Sequence, residues 1–147
     1  MTTVAQKPYF FDDLEVGMEA SMSRVVTEAD IYAFADISGD LNPVHIDEAY
    51  ASQTIFKQRV AHGILTAGYI SAVFGMHLPG PGAIYITQTL NFKAPVCIGD
   101  LVRARVVIHD LVPAKRRALF DCYCTVNNKI VLDGEAMLMV PAKPKDG

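Results

Sequence analysis

Fifteen residues, HGILTAGYISAVFGM from His62 to Met76, contain no Asp, Glu, Lys or Arg and are rich in small side chains. Ala67, Gly68, Ser71, Ala72 and Gly75 recur at three- and four-residue spacing, and Ile64, Gly68 and Ala72 line up on one face of a helix. Two glycines inside a helix cost about 1 kcal/mol each relative to alanine. Something must compensate, and close packing against a sheet is the simplest candidate, because bulky side chains would hold the sheet off. The run is shorter than the ~20 apolar residues a membrane span needs.

On the C-terminal side, LPGPG, Leu78 to Gly82, breaks the helix and the period changes. Ala83 to Phe92 alternates Tyr, Thr, Thr and Asn against Ile, Ile, Gln, Leu and Phe. Phe92 to Asp100 reads as a bend that ends in a Gly-Asp turn. Leu101 to Val112 alternates again, with Val102, Ala104, Val106 and Ile108 predicted inward and Arg103 and Arg105 outward. Arg117 to Val126 repeats this pattern. Asn127-Asn128 is a hairpin-type turn into a last strand, Lys129 to Val140.

On the N-terminal side, a strand is expected around Glu19 to Val26. A helix follows over Glu28 to Ile37, capped by Thr27 with Asp30 at the capping-box position and stopped by Gly39. Asp47 is placed to cap a short helix, Glu48 to Gln53. The order is thus strand, helix, short helix, long apolar helix, then four strands. Short turns between sequential strands imply antiparallel pairing. The fold class is α+β, a strongly curved antiparallel sheet with one helix across its concave face, in a single domain over residues 1–147.

The chain is 51% hydrophobic and 20% charged, a globular composition, and its net charge of -3 gives no reason to expect a nucleic-acid partner. Neither an apolar signal core at the N-terminus nor a membrane span is read, and the tail PAKPKDG reads as a frayed polar end. Cys97, Cys122 and Cys124 form no CxxC pair and are odd in number. Free thiols fit a reducing compartment, and a cytoplasmic location is expected.

Four histidines, His45, His62, His77 and His109, are scattered without a zinc-binding pattern, so no metal site is expected. Dinucleotide, P-loop and serine-hydrolase signatures are absent from the sequence. The chemistry-bearing stretch is SGDLNPVHIDEAY, Ser38 to Tyr50. Asn42-Pro43 stiffens the turn between Asp40 and His45 and forces Asn42 out of the helical region. The carboxylate and imidazole then converge on one volume, where they could share a water and a substrate carbon. The bland alternative is that Asp40 caps a turn and His45 makes a structural hydrogen bond.

His62-Gly63 at the start of the apolar helix adds a second element. The first amides of a helix lack internal partners and carry partial positive charge. Gly63 lets a substrate approach its N–H, a candidate oxyanion hole for a carbonyl becoming an enolate. Ser71, two turns on, could donate a hydrogen bond inward or simply permit close packing. His62 is read as a lock between the Asp/His loop and the helix, not as a catalytic group.

GDLNPVHIDEAYA followed by RVAHGILTAGYIS resembles the MaoC-like hydratase family, and within it the (R)-specific enoyl-CoA hydratases. The stretch FKAPV from Phe92 is similar to a further family segment, and the likeness runs from about Phe10 to Val140. The resemblance implies the hot dog fold, a curved antiparallel sheet around a central helix. It implies catalytic roles for Asp40 and His45, an oxyanion role for the Gly63 amide and a part in the same site for Ser71. It implies hydration of a trans-2-enoyl thioester of coenzyme A by syn addition to an (R)-3-hydroxyacyl product. No cofactor is implied, since coenzyme A is part of the substrate. A homodimer with a site near its interface is implied as well. Lys93, Lys115, Arg116 and Arg117 are candidates for the coenzyme A phosphates. The rival readings are a hot dog acyl-CoA thioesterase, a non-catalytic acyl-CoA-binding module, and a dehydratase for branched or dicarboxylic acyl groups.

Overall fold

The computed structural model describes residues 7–145, so the first six residues and the last two of the PAKPKDG tail lie outside the described residues. Among the described residues six strands form one antiparallel sheet: β1 (Glu19–Val25), β2 (Ile84–Gln88), β3 (Asn91–Phe92), β4 (Leu101–Val112), β5 (Arg117–Val126) and β6 (Lys129–Met139). The described residues also form α-helices α1 (Glu28–Ser38), α2 (Pro43–Ile46), α3 (Glu48–Ala51) and α4 (Gly63–Met76). The sheet runs β1-β4-β5-β6-β2, with β3 also on β6. Chain neighbours pair only through β4, β5 and β6. β1 and β2 close the two edges by returning to β4 and β6.

The alternation in β4 and β5 builds the core. Val102, Ala104, Val106 and Ile108 of β4 and Ala118, Phe120, Cys122 and Cys124 of β5 are all buried, while Arg103 and Arg105 lie on the other face. α4 lies on this apolar face through Ile70, Val73 and Phe74, and Phe74 meets Phe120 edge-on with centroids 4.8 Å apart. Each such side chain removed from water contributes about 1.5–3 kcal/mol.

Three expectations need correction. α4 does not rest on the sheet through its small residues: bulky Tyr69, Ile70, Val73 and Phe74 face the core, and an added Cβ on Gly68 or Gly75 would meet nothing within 4 Å. Gly68, Ser71 and Gly75 are exposed on the far side of the helix, while Ala67 is partly buried against the core. The expected strand from Ala83 to Phe92 is two, making five strands after α4. A Cβ on Gly134 of β6 would lie 1.9 Å from the Thr89 carbonyl oxygen, and this close crossing separates β2 from β3. Finally, the turn after Asn42 closes into a helical turn, α2, with Pro43 at its first position, where a missing N–H costs nothing.

Candidate active site

Local rules hold the Asp/His loop. The Thr27/Asp30 capping box starts α1, and Gly39, at φ 81°, ends it in the left-handed region. Asp40 Oδ1 accepts from Asn42 N–H at 3.2 Å, and Asn42 Oδ1 from Val44 N–H at 3.1 Å. Asp47 then caps α3 by accepting from Tyr50 N–H at 3.0 Å. This chain of short polar turns points His45 back toward Asp40.

His45 Nδ1 lies 2.7 Å from the carbonyl oxygen of Val60. A carbonyl only accepts, so Nδ1 carries the proton and neutral His45 presents a bare Nε2. That Nε2 stands 4.0 Å from Asp40 Oδ2, too far for a direct hydrogen bond and suited to a water that contacts both. The His45 side chain is 13% exposed and the Asp40 side chain 50%, so the pair has one wet side and one dry side.

His62 fixes the other half. Its Nε2 lies 3.0 Å from the backbone oxygen of Asp40 and donates to it. Its ring stacks on His45 with centroids 3.8 Å apart and meets Phe34 at 4.8 Å. Arg59, buried, pairs with Glu28 at 2.8 Å and lies over the Tyr32 ring, fastening the strip from residue 59 to 62 to α1. Val60 N–H bonds back to the Val44 oxygen at 3.2 Å.

Gly63 is the first residue of α4, and its N–H donates no hydrogen bond within the described residues, as helix geometry requires. The Phe92 ring lies across it: a Cβ there would sit 2.5 Å from a ring carbon. A cavity of about 440 Å³ opens beside it, bordered by Phe56, His62, Gly63, Phe92 and Lys93. Asp40, His45 and His62 therefore come together, and Gly63 joins them as the residue that follows His62 and borders the cavity. Ser71 is not in this cluster. It is exposed on the wall of a second groove, about 12 Å along α4 by helical rise. Of the candidate phosphate-binding cations, Lys93 borders the site. Lys115, Arg116 and Arg117 lie around the β4–β5 turn, at the other end of β4 from the Val96–Asp100 bend.

Asp40, His45 and His62 also each offer one possible ligand atom, all within 4.8 Å of one another. His62, however, commits Nε2 to the Asp40 carbonyl, and its Nδ1 is sealed from solvent. Two donors remain, fewer than the three protein ligands of a catalytic zinc.

The Val60 carbonyl and the Arg59 clamp could not be found from residue patterns. A backbone acceptor has no sequence signature, and Arg59 is 31 residues from its partner Glu28.

A family model described as MaoC like domain matches residues 12–126. The chain is 53% identical over 135 residues to an "(R)-specific enoyl-CoA hydratase" of Rhodospirillum rubrum, covering 92% of this chain and 94% of that protein. It is 52% identical to a "3-hydroxybutyryl-CoA dehydratase" of Methylorubrum extorquens, covering 91% and 85%. Among solved structures, the unliganded R-hydratase PhaJ1 of Pseudomonas aeruginosa superposes with a TM-score of 0.88 at 42% identity, covering 92% of this chain and 88% of that one. The (R)-hydratase of A. caviae superposes at 0.85 and 39%, covering 87% and 98%.

Proposed function

The chain belongs to the MaoC-like dehydratase family and has its hot dog fold, and on that footing we propose that it is an (R)-specific enoyl-CoA hydratase. It adds water reversibly to a trans-2-enoyl-CoA to give the (R)-3-hydroxyacyl-CoA. The observation that carries this reading is the 4.0 Å gap between Asp40 Oδ2 and His45 Nε2, beside the unpaired Gly63 amide.

In this reading a water sits between Asp40 and His45. His45 Nε2, bare because Nδ1 is held by Val60, takes a proton as the water oxygen attacks C3. Asp40 orients the water and helps the proton taken up by His45 to pass on to C2, which restores both groups. Negative charge gathers on the thioester oxygen, where the Gly63 N–H and the positive end of α4 receive it. Water's two parts arrive from one side, which makes the addition syn. Ser71 lines the groove beyond this centre and contacts substrate there. The reaction is assigned no cofactor; coenzyme A enters as part of the substrate, with Lys93 at the edge of the cavity available to its phosphates.

A second copy completes the molecule in this proposal. Among the described residues β2 pairs with β6 on one side only, which leaves its other edge unpaired. Such an edge invites a matching strand. No helix among the described residues is long and apolar enough to cross a membrane.

The test is purified protein with crotonyl-CoA, following loss of the conjugated enoyl absorbance with thiol release measured in parallel. Loss without thiol, and an (R) product on chiral analysis, is expected. Thiol release without prior hydration would replace the hydratase with the thioesterase reading.

A further inference from the structure

The side of α4 that carries Ala67, Gly68 and Ser71 borders a groove of about 460 Å³ whose opposite wall is β2. Two contacts fix its direction. Phe92, just past β2, lies on Gly63 at the start of α4, and Tyr85, near the start of β2, meets Phe74 edge-on with centroids 5.4 Å apart. β2 therefore runs back along α4. The groove starts at Ile64, next to the oxyanion amide, where Phe34 also joins it to His62. It reaches Ser71 and Tyr85 about 10 Å further on by helical rise.

Tyr85 is held at that far end. Buried Phe74 blocks its retreat toward the core, and its hydroxyl donates to Gln88 Oε1. Gln88 is itself fully engaged, since its Nε2 donates to the carbonyls of Thr89 at 2.8 Å and Glu135 at 3.3 Å. Tyr85 and Gln88 thus face each other or the backbone, and the other polar groups on the groove, Ser71 and Thr87, are neutral hydroxyls. No Lys, Arg or His lines it. A carboxylate or other ionised group placed there would lose water and gain no counter-charge.

Resting on the hydratase reading, we propose that Tyr85 is a specificity-determining residue. It forms the end wall of the groove that takes the acyl tail, so the enzyme selects unsubstituted aliphatic enoyl chains up to a length set by the Tyr85 ring and rejects chains ending in a carboxylate.

The experiment compares kcat/KM for trans-2-enoyl-CoAs of four, six, eight and ten carbons, and for an ω-carboxylated six-carbon analogue, in the wild type, Y85A and Y85F. Ratios between substrates within one variant are read, so differences in yield or assembly cancel. Y85A is expected to raise the ten-carbon to four-carbon ratio by about tenfold or more, and Y85F, which keeps the ring, to hold the wild-type ratio. The carboxylated analogue is expected to be at least about tenfold poorer than its unsubstituted counterpart in the wild type. An unchanged length ratio in Y85A, or a carboxylated substrate used equally well, overturns the inference and leaves the hydratase reading standing. A wild type that hydrates none of the panel overturns both.

Discussion

The imidazoles of His45 and His62 stack face to face, 3.8 Å between centroids and 27° between planes, yet each is tied to the backbone of the other's segment. His45 donates to Val60, two residues before His62, and His62 donates to Asp40, five residues before His45. The two strips are cross-laced, and the proposed chemistry depends on this lacing.

Replacing Asp40 with Asn keeps the volume and the acceptor for Asn42 N–H but removes the charge. The fold is expected to survive, by circular dichroism and thermal melting, with hydration of crotonyl-CoA lowered about 10²- to 10⁴-fold, the usual range for an acid–base group. Wild-type turnover in D40N would remove Asp40 from the mechanism.

The two functions of His62 can be separated. H62Q retains a donor near the Nε2 position, whereas H62F retains a stacking ring and loses the donor. If His62 acts by holding Asp40, H62Q keeps more kcat than H62F while KM for crotonyl-CoA stays close in both. Equal kcat in the two variants would assign His62 to packing alone.

Gly63 needs a paired comparison, because any Cβ there strikes the Phe92 ring. Gly63→Ala adds the Cβ and keeps the N–H; Gly63→Pro adds it and removes the N–H, at a helix position where proline is tolerated. Made in an F92A background to clear the ring, the proline variant is expected to fall below the alanine variant by about 10²- to 10³-fold in kcat. Equal rates would free the amide of its oxyanion role.

Asp30 carries a pH signature of a different kind. Its carboxyl is held below the usual carboxylate range, first by a hydrogen bond from Arg24 at 2.7 Å and also by Thr27, against the opposing effect of burial. A folded value depressed below the unfolded one gives stability that is present above the ordinary value of 3.8 and lost as pH falls through the folded value. D30N is therefore expected to cost about 1 kcal/mol at neutral pH in urea titration, and progressively less below pH ~4. A cost that stays constant down to the acid limit would refute the charge component.

The thiols of Cys122 and Cys124, buried between sheet and helix, are pushed up to about 12 by loss of hydration. At pH ~8 both should resist a disulfide exchange reagent in the native protein and react once it unfolds, since only thiolate attacks. Labelling of either in native conditions would show that the sheet opens locally.

Much of this could be read from residue order. The alternation of Leu101 to Val112 and Arg117 to Val126 located the core face, because period-two burial is written directly into side-chain type. The turn after Asp40 and the start of α4 at Gly63 were legible because turn and helix-start rules place them. The role of the small residues in α4 was not. A glycine that permits close packing and a glycine that leaves space open look alike in sequence, and only the bulk of Tyr69, Ile70 and Val73 on the other face distinguishes them. The break at Thr89 was hidden for a similar reason, since Gly134, which causes it, is 45 residues away in β6.

Both groups that aim the Asp/His pair are accepted by main-chain oxygens, of Val60 and of Asp40 itself. Such an acceptor cannot be deleted by substitution: whatever residue stands at position 60, its carbonyl is still there. The side chain at position 60 answers to packing, since Val60 is buried and lines the cavity, while the tautomer of His45 is specified by the backbone alone. The instruction is inherited through the path of the chain, and only a change that displaces the strip, such as loss of the Arg59–Glu28 clamp, can erase it.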